Sequence, residues 1–176
     1  MLKLILCVLF VFFTIGYTEA KKAEVTWGRI MKGKYYPGVT VKTNNGTTEI
    51  TWNEPVNSQI NPLRATFSIR FTKQKRTMSA ELDNLCGIYE HTSLEESVQI
   101  FILKFIANAQ KCPISKGAKA TFSVPLTYSY TELTKESLCG PYRSEMKVFR
   151  KKDTGNAQPI IIGAFKGIMT DCPKRP

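Results

Sequence analysis

Alternating apolar and polar residues run through most of the chain and predict short β-strands. In the clearest segment, residues 63–72, every second side chain from Leu63 to Phe71 is apolar, and Arg, Thr or Ser lies between them. This alternation is typical of an antiparallel strand with one buried face. Turn-forming residues separate it from further segments of the same kind, which are residues 23–30, 38–42, 49–52, 77–82 and 118–124. Short strands at this spacing predict an antiparallel β-sandwich.

One segment has a helical rather than an alternating period. Ser93 and Glu96 form a capping-box pattern, which favours a helix N-terminus. Apolar residues then recur at helical spacing up to about Ala109, and they are Val98, Phe101, Ile102, Phe105 and Ile106. A strand is the alternative, since Ile and Phe also suit sheets, but we favour the helix. Cys86 and Cys112 bracket the segment and would pin it against the sheet as a flap.

The C-terminal part of the chain predicts a β-hairpin. Residues 142–150 and 159–169 would pair, because the Asp, Gly and Asn of residues 151–156 tolerate a tight reversal. If the turn is centred on Gly155, Cys139 lies opposite Cys172 and is well placed for a disulfide. We expect this hairpin to form one edge of the fold and residues 125–137 to form the connection that leads into it.

The N-terminus predicts a secretory signal peptide over residues 1–20. Lys3 precedes an apolar run that is shorter than the roughly 20 residues of a membrane span, and small residues follow at the cleavage spacing. We therefore expect a secreted protein in which residues 21–176 form one domain. The four remaining cysteines indicate two disulfides. The hairpin favours Cys139–Cys172, which leaves Cys86–Cys112.

The chain is strongly basic, with a formal net charge of +11 at pH 7. This excess suggests an acidic partner such as anionic lipid or glycan, and an ordinary soluble basic surface is the alternative. Nucleic acid is not expected, because no motif for reading it occurs. Two basic clusters fall at predicted hairpin tips, Lys73, Lys75 and Arg76 at one and Arg150, Lys151 and Lys152 at the other. If the tips share one end of the sandwich, they would dock the protein on an anionic membrane. Solvated turns are the ordinary alternative.

The sequence carries little that indicates catalysis or metal binding. His91 is the only histidine, no G-x-S-x-G, H-E-x-x-H or P-loop motif occurs, and the cysteines lack the close spacing of a zinc site. We expect no enzymatic activity, no cofactor and no metal; an unrecognised pair of carboxylates is the alternative. Asn45-Gly46-Thr47 is a strong hairpin-turn signal and also an N-glycosylation acceptor, so we predict a sugar on Asn45 at an exposed tip.

Several stretches resemble the ML lipid-recognition proteins. Cys112-Pro-Ile-Ser-Lys-Gly117 resembles their Cys-Pro-x-x-x-Gly motif, and Gly140-Pro-Tyr-Arg143 is similar to the Gly-x-Tyr-Arg that opens a strand in the ganglioside-activator branch. Ala164-Phe-Lys-Gly-Ile168 looks like the closing strand of that branch, and insect secreted relatives look equally close. The spacing of Cys86 and Cys112 also suits a disulfide of that branch. The activator's other disulfides have no counterpart here, so its glycolipid and its hydrolase partner are not carried over.

The resemblance implies an immunoglobulin-like β-cup that holds acyl chains or another apolar ligand. Its cavity would be lined by residues from four strands and the helical flap, namely Phe67, Ile69, Phe71, Phe101, Phe105, Phe122, Val124, Tyr142, Met146, Val148, Ile161 and Phe165. Ordinary core packing is the alternative for each of them. The predicted function is secreted, non-enzymatic lipid binding and transfer. The rival is an interaction protein with a filled core that acts through its surface.

Overall fold

The computed structural model describes residues 21–130 and 138–170, and these form two antiparallel sheets and one helix. The helix α1 spans Leu94–Ala107. The strands are β1 (Lys21–Lys32), β2 (Val39–Asn44), β3 (Thr47–Trp52), β4 (Leu63–Phe71), β5 (Arg76–Leu82), β6 (Lys119–Phe122), β7 (Leu126–Tyr130), β8 (Gly140–Arg150) and β9 (Ile161–Thr170). The predicted mainly β, immunoglobulin-like sandwich with one helix is thereby confirmed. Within these residues, no helix is long and apolar enough to cross a membrane.

The larger sheet has the strand order β5-β4-β8-β9-β1-β7, and the smaller has the order β2-β3-β6. The β2–β3 hairpin closes as its sequence predicts, because Asn44 pairs with Thr47 and leaves Asn45 and Gly46 as the two turn residues. Both turn residues have positive φ, 47° and 78°, which Asn-Gly accepts readily. The paired strands therefore keep the register that their alternation predicts.

The C-terminal hairpin is not an edge of the fold. Strands β8 and β9 lie in the middle of the larger sheet, because β4 pairs with β8 and β1 pairs with β9. Gly140 pairs with Met169, two residues away from the predicted register. The register prediction was wrong because the observed pairing centres the reversal between Thr154 and Gly155, one residue before the centre that would oppose Cys139 and Cys172. Cys172 lies outside the described residues, so the Cys139–Cys172 disulfide stays a prediction.

Part of the predicted connection 125–137 is a strand. Residues of β7 pair with the start of β1, with Val25 opposite Leu126 and Ala23 opposite Tyr128. A five-residue edge strand gives only a weak pattern, and Thr, Ser and Tyr in it also suit loops. The predicted signal peptide, residues 1–20, lies outside the described residues.

The helix is held between the edges of the two sheets. Ser93 accepts a hydrogen bond from the Glu96 amide, which confirms the predicted N-cap. The indole of Trp52, on β3, donates to the Ile106 carbonyl at 2.8 Å. Cys86 and Cys112 form the predicted disulfide across the base of the helix-containing segment. The Trp52 bond fixes the C-terminal end of α1 against the smaller sheet.

Aromatic rings fill the middle of the sandwich. Phe122 of β6 and Phe165 of β9 are 2% and 1% exposed, and their ring centroids are 5.5 Å apart. Glycines make room for them in the larger sheet. A Cβ on Gly28 would lie 2.7 Å from Cζ of Phe122, and a Cβ on Gly163 would lie 2.7 Å from Cζ of Phe165. The central part of the core is therefore closely packed.

Candidate functional site

A cleft opens between the N-terminal half of α1 and one end of the larger sheet. The strand residues that form its floor come from the end of β4, the start of β8, the end of β9 and the start of β1. These positions share one end of the sheet, since Phe71 pairs with Tyr142 and Ala23 pairs with Met169. The lining residues are Ala23, Phe67, Ile69, Phe71, Met78, Leu94, Ser97, Val98, Phe101, Tyr128, Leu138, Tyr142, Ser144 and Met169.

The cleft is narrow, because the side chains of its walls lie close together. Its empty volume is about 630 Å³ when counted out to its open mouth, but the centre of a water-sized molecule fits in only about 60 Å³ of it. One water needs roughly 10–15 Å³ by the second measure. The space therefore holds a few waters or a short piece of hydrocarbon, and a longer chain would require the walls to move apart.

Four hydroxyls interrupt an otherwise apolar surface. They belong to Ser97, Tyr128, Tyr142 and Ser144, and no described residue that lines the cleft is charged. Burial raises the pKa of Tyr128 to about 12 and that of Tyr142 to about 12. Both phenols are therefore neutral hydrogen-bonding groups at any physiological pH. The cleft suits an apolar body with an uncharged polar group.

The N-terminal half of α1, which forms one wall of the cleft, is less deeply buried than the C-terminal half. In the C-terminal half of α1, Ile102, Leu103 and Ile106 are fully buried. In the N-terminal half, Leu94 and Phe101 are half-buried. The Phe101 ring lies 4.4 Å from that of Phe105, 5.3 Å from that of Phe67 and 5.4 Å from that of Tyr128. Phe101 also lies 5.7 Å from the ring of Phe165, so its movement would enlarge the cleft at the cost of four ring contacts.

The predicted lining residues divide between the cleft and the packed core. Phe67, Ile69, Phe71, Phe101 and Tyr142 line the cleft. The other seven do not line it but belong to the main core cluster or pack against it, and they are Phe105, Phe122, Val124, Met146, Val148, Ile161 and Phe165. These seven do not line this cleft, and their contact with a ligand stays a prediction. Their alternation showed the correct face, but the aromatic rings over Gly28 and Gly163 fill that part of the sheet.

Sequence reasoning missed much of the rest of the lining. Ala23 and Met78 lie at inward positions of predicted strands. The alternation shows that such residues face inward, but it does not show which of them reach the cleft. Tyr128 lies on β7, whose Thr, Ser and Tyr residues predict a connection rather than a strand. Leu94 and Val98 belong to the predicted helix, but helical periodicity does not show which part of the fold the first turns contact.

The two basic tips do not form one docking face. Leu63 pairs with Arg150 and Phe71 pairs with Tyr142. The tip that holds Lys73, Lys75 and Arg76 therefore follows one end of β4, and the tip that holds Arg150, Lys151 and Lys152 lies at the other, roughly 27 Å away along a nine-residue strand. The combined docking surface was a wrong prediction, because it assumed that both tips share one end. The Lys73–Arg76 tip is at the cleft end.

Arg150 has a structural partner as well. Its Nη2 donates to Oδ1 of Asp153 at 2.7 Å and its Nε donates to Oδ2 at 3.1 Å. The hydrogen bonds from Arg150 hold the pKa of the Asp153 carboxyl below its usual value. Arg64 donates to the Asp153 carbonyl, so the turn after β8 is fixed from two sides. This pairing makes Arg150 part of the turn rather than a cation available to a membrane.

The remaining predicted sites lie on the surface. Asn45 is exposed at the β2–β3 turn, as an acceptor for sugar would be, and its glycosylation stays a prediction. His91 lies 3.1 Å from a carboxylate oxygen of Glu96. Glu96 also accepts from the Thr92 amide at 2.6 Å, and this bond, followed by that of His91, lowers the pKa of Glu96. His91 therefore belongs to the helix cap. No protein-family model and no curated protein matches the chain.

Proposed function

We propose that the protein is a secreted, non-enzymatic carrier that binds an apolar ligand, such as the acyl chain of a lipid, in the cleft. The observation that carries the proposal is the composition of the lining, in which Phe, Ile, Leu, Val and Met surround a few hydroxyls without a charge. Ligand sites are typically concave, mostly apolar and equipped with a small number of polar groups. The Cys86–Cys112 disulfide supports an oxidising compartment.

The ligand would enter by displacing Phe101 and the N-terminal half of α1. Burial of a hydrocarbon chain gains about 0.8 kcal/mol for each methylene group, so a long chain offsets the loss of the few ring contacts that Phe101 makes. The uncharged lining favours ligands whose buried polar group is neutral. An anionic head group would remain at the mouth, near the Lys73–Arg76 tip.

The first experiment identifies what the protein carries. The protein would be produced in secretory cells and purified, and its organic-solvent extract would be examined by mass spectrometry. Stoichiometric lipid that reloads after stripping is the expected result. A clean extract, with no uptake of fatty-acid, phospholipid, glycolipid or sterol probes, would contradict the proposal. The filled centre of the sandwich would then favour the rival function, a protein that acts through its surface.

A blocking variant tests the position of the ligand. Met78 lines the cleft from β5 and is half-buried, so Met78→Trp places an indole in the opening. We expect at least about tenfold weaker binding of a fluorescent acyl probe. Ser79→Trp is the matched control, because it puts the same ring on the exposed face of the same strand. Equal binding by both variants would place the ligand elsewhere.

A further inference from the structure

Three cations lie side by side on the outer face of the larger sheet. Arg70 on β4 pairs with Arg143 on β8, and Arg143 pairs with Lys166 on β9. All three side chains are exposed. Neighbouring strands are about 4.8 Å apart, so the row spans roughly 10 Å across the sheet. We call these three residues the cation row.

The cation row has no acidic partner within the described part of the chain. Glu145, two residues from Arg143 on the same face of β8, is paired with Lys147 at 3.0 Å. Outward positions of the larger sheet carry more cations than anions: Lys22, Arg29, Arg64, Arg70, Arg143, Lys147 and Lys166 against Glu24, Glu81 and Glu145. Like charges directly opposite one another on adjacent strands destabilise a sheet. The face therefore retains an unfavourable arrangement that a bound anion would relieve.

A β-bulge adds an aromatic ring to the cation row. Strict alternation from Ala23 and Val25 would turn Trp27 into the core, but the register of β1 shifts between Val25 and Trp27. The extra residue reverses the direction of the following side chains. Trp27 consequently pairs with Lys166, is 42% exposed, and has the Lys166 Nζ 4.9 Å from the centre of its ring. An exposed ring in line with three cations is a surface that contacts both charge and the flat face of a sugar.

We infer that the cation row and Trp27 bind a sulfated polysaccharide. A linear chain of sulfated sugars supplies successive anions to Arg70, Arg143 and Lys166 and a sugar ring to Trp27. Basic patches of this kind attract polyanions, heparin among them. A membrane is the less favoured occupant, because the cation row and the cleft lie on opposite faces of the sheet, so a bilayer bound to the row would not face the cleft. The inference shares with the proposed function only the secreted location and does not depend on a ligand in the cleft.

The test compares two triple variants, each of which loses three positive charges. Arg70→Gln, Arg143→Gln and Lys166→Gln together remove the cation row. Lys42→Gln, Lys116→Gln and Lys119→Gln remove three exposed cations in the smaller sheet and the loop before it. Affinity for a heparin oligosaccharide is measured by titration calorimetry at physiological salt. We expect about tenfold weaker binding for the first variant and less than about twofold for the second.

Thermal unfolding separates a binding effect from misfolding. Because removal of the cation row also removes like-charge repulsion, that variant should unfold at the same temperature as the wild type or higher. A Trp27→Ala variant should weaken binding of heparin but not of inorganic polyphosphate, which offers charge without sugar rings.

Several results would overturn the inference. Equal loss of heparin affinity in both triple variants would mean that only net charge matters. Equally tight binding of heparin and of a single-stranded DNA oligonucleotide, each dependent on the cation row, would indicate a general polyanion site. Binding to vesicles of anionic phospholipid that depends on the cation row, without heparin binding, would identify a membrane surface instead.

Discussion

Phe101 is the residue whose removal most directly tests whether the cleft takes a ligand. Truncation of a fully buried Phe to Ala costs about 3–5 kcal/mol. Phe101 is half-buried on the wall of the cleft, so we expect Phe101→Ala to cost about 3 kcal/mol. For a domain of this size that loss lowers Tm by about 6–12 °C.

The same truncation opens space for a ligand. The variant should bind a longer or bulkier acyl probe than the wild type, because the ring between the walls is gone. A ligand present at a hundredfold excess over its Kd stabilises the folded state by about 2.7 kcal/mol. Saturating probe should therefore restore most of the lost Tm. Differential scanning fluorimetry with and without probe, together with a probe titration, measures both effects.

Phe122→Ala is the control for a cavity without access to the cleft. Phe122 is 2% exposed, its ring lies 5.6 Å from that of Phe105, and it does not line the cleft. We expect a loss of about 3–5 kcal/mol, and the probe should raise the Tm of this variant no more than it raises the Tm of the wild type. The reasoning fails if Phe101→Ala binds no more probe than the wild type, or if probe raises the Tm of both variants equally.

Three further predictions concern the helix and the tips. Trp52→Phe should cost about 1–3 kcal/mol in urea unfolding, because it leaves the Ile106 carbonyl without its indole donor; an unchanged midpoint would mean that this bond contributes nothing. The lowered pKa of Glu96 stabilises the fold above the ordinary carboxyl pKa near 4.5, and this contribution disappears as the pH falls through the folded pKa. Glu96→Gln should thus be less stable than the wild type at pH 7, and the difference should shrink as the pH falls below 4.5; a difference that stays constant with pH would contradict the assignment. Reversal of Lys73 and Lys75 should weaken binding to anionic vesicles in flotation assays more than reversal of Lys151 and Lys152, whereas equal effects would exclude docking by the cleft end.

Local patterns in the sequence predicted most of the fold. The alternation in residues 63–72 identified β4 and its buried face, and the Asn45-Gly46 turn identified the β2–β3 hairpin. The capping box at Ser93 resolved the choice between helix and strand. These features depend on interactions between residues that are close together in the chain. They can therefore be predicted without knowledge of the tertiary structure.

Long-range pairing was not predictable in the same way. The β8–β9 hairpin became central only because β1, from the other end of the chain, pairs with β9. Alternation also does not show how deep an inward residue lies. Phe71 and Met146 look alike in the sequence, yet Phe71 lines the cleft and Met146 is packed in the main core cluster. The difference depends on rings from β6 and β9 that cover one part of the sheet and leave the other open.

The cleft and the cation row use opposite faces of the same strand segments. On β4, Ile69 and Phe71 point into the cleft and Arg70 points outward; on β8, Tyr142 points inward and Arg143 outward. Strand side chains alternate with a period of two, so a one-residue slip in register would exchange the two faces. Both proposed sites therefore depend on one register, although no residue belongs to both.

Selective loss of one activity separates the two sites. Arg70→Gln changes only an exposed side chain, so it should weaken heparin binding and leave acyl-probe binding unchanged. Met78→Trp should do the reverse, because its side chain faces the cleft. Measuring the affinity for heparin and for the acyl probe on both variants shows whether each substitution affects one site only. If either substitution reduced both affinities, a displaced strand, rather than a lost contact, would be the cause, and neither site would be supported by that variant.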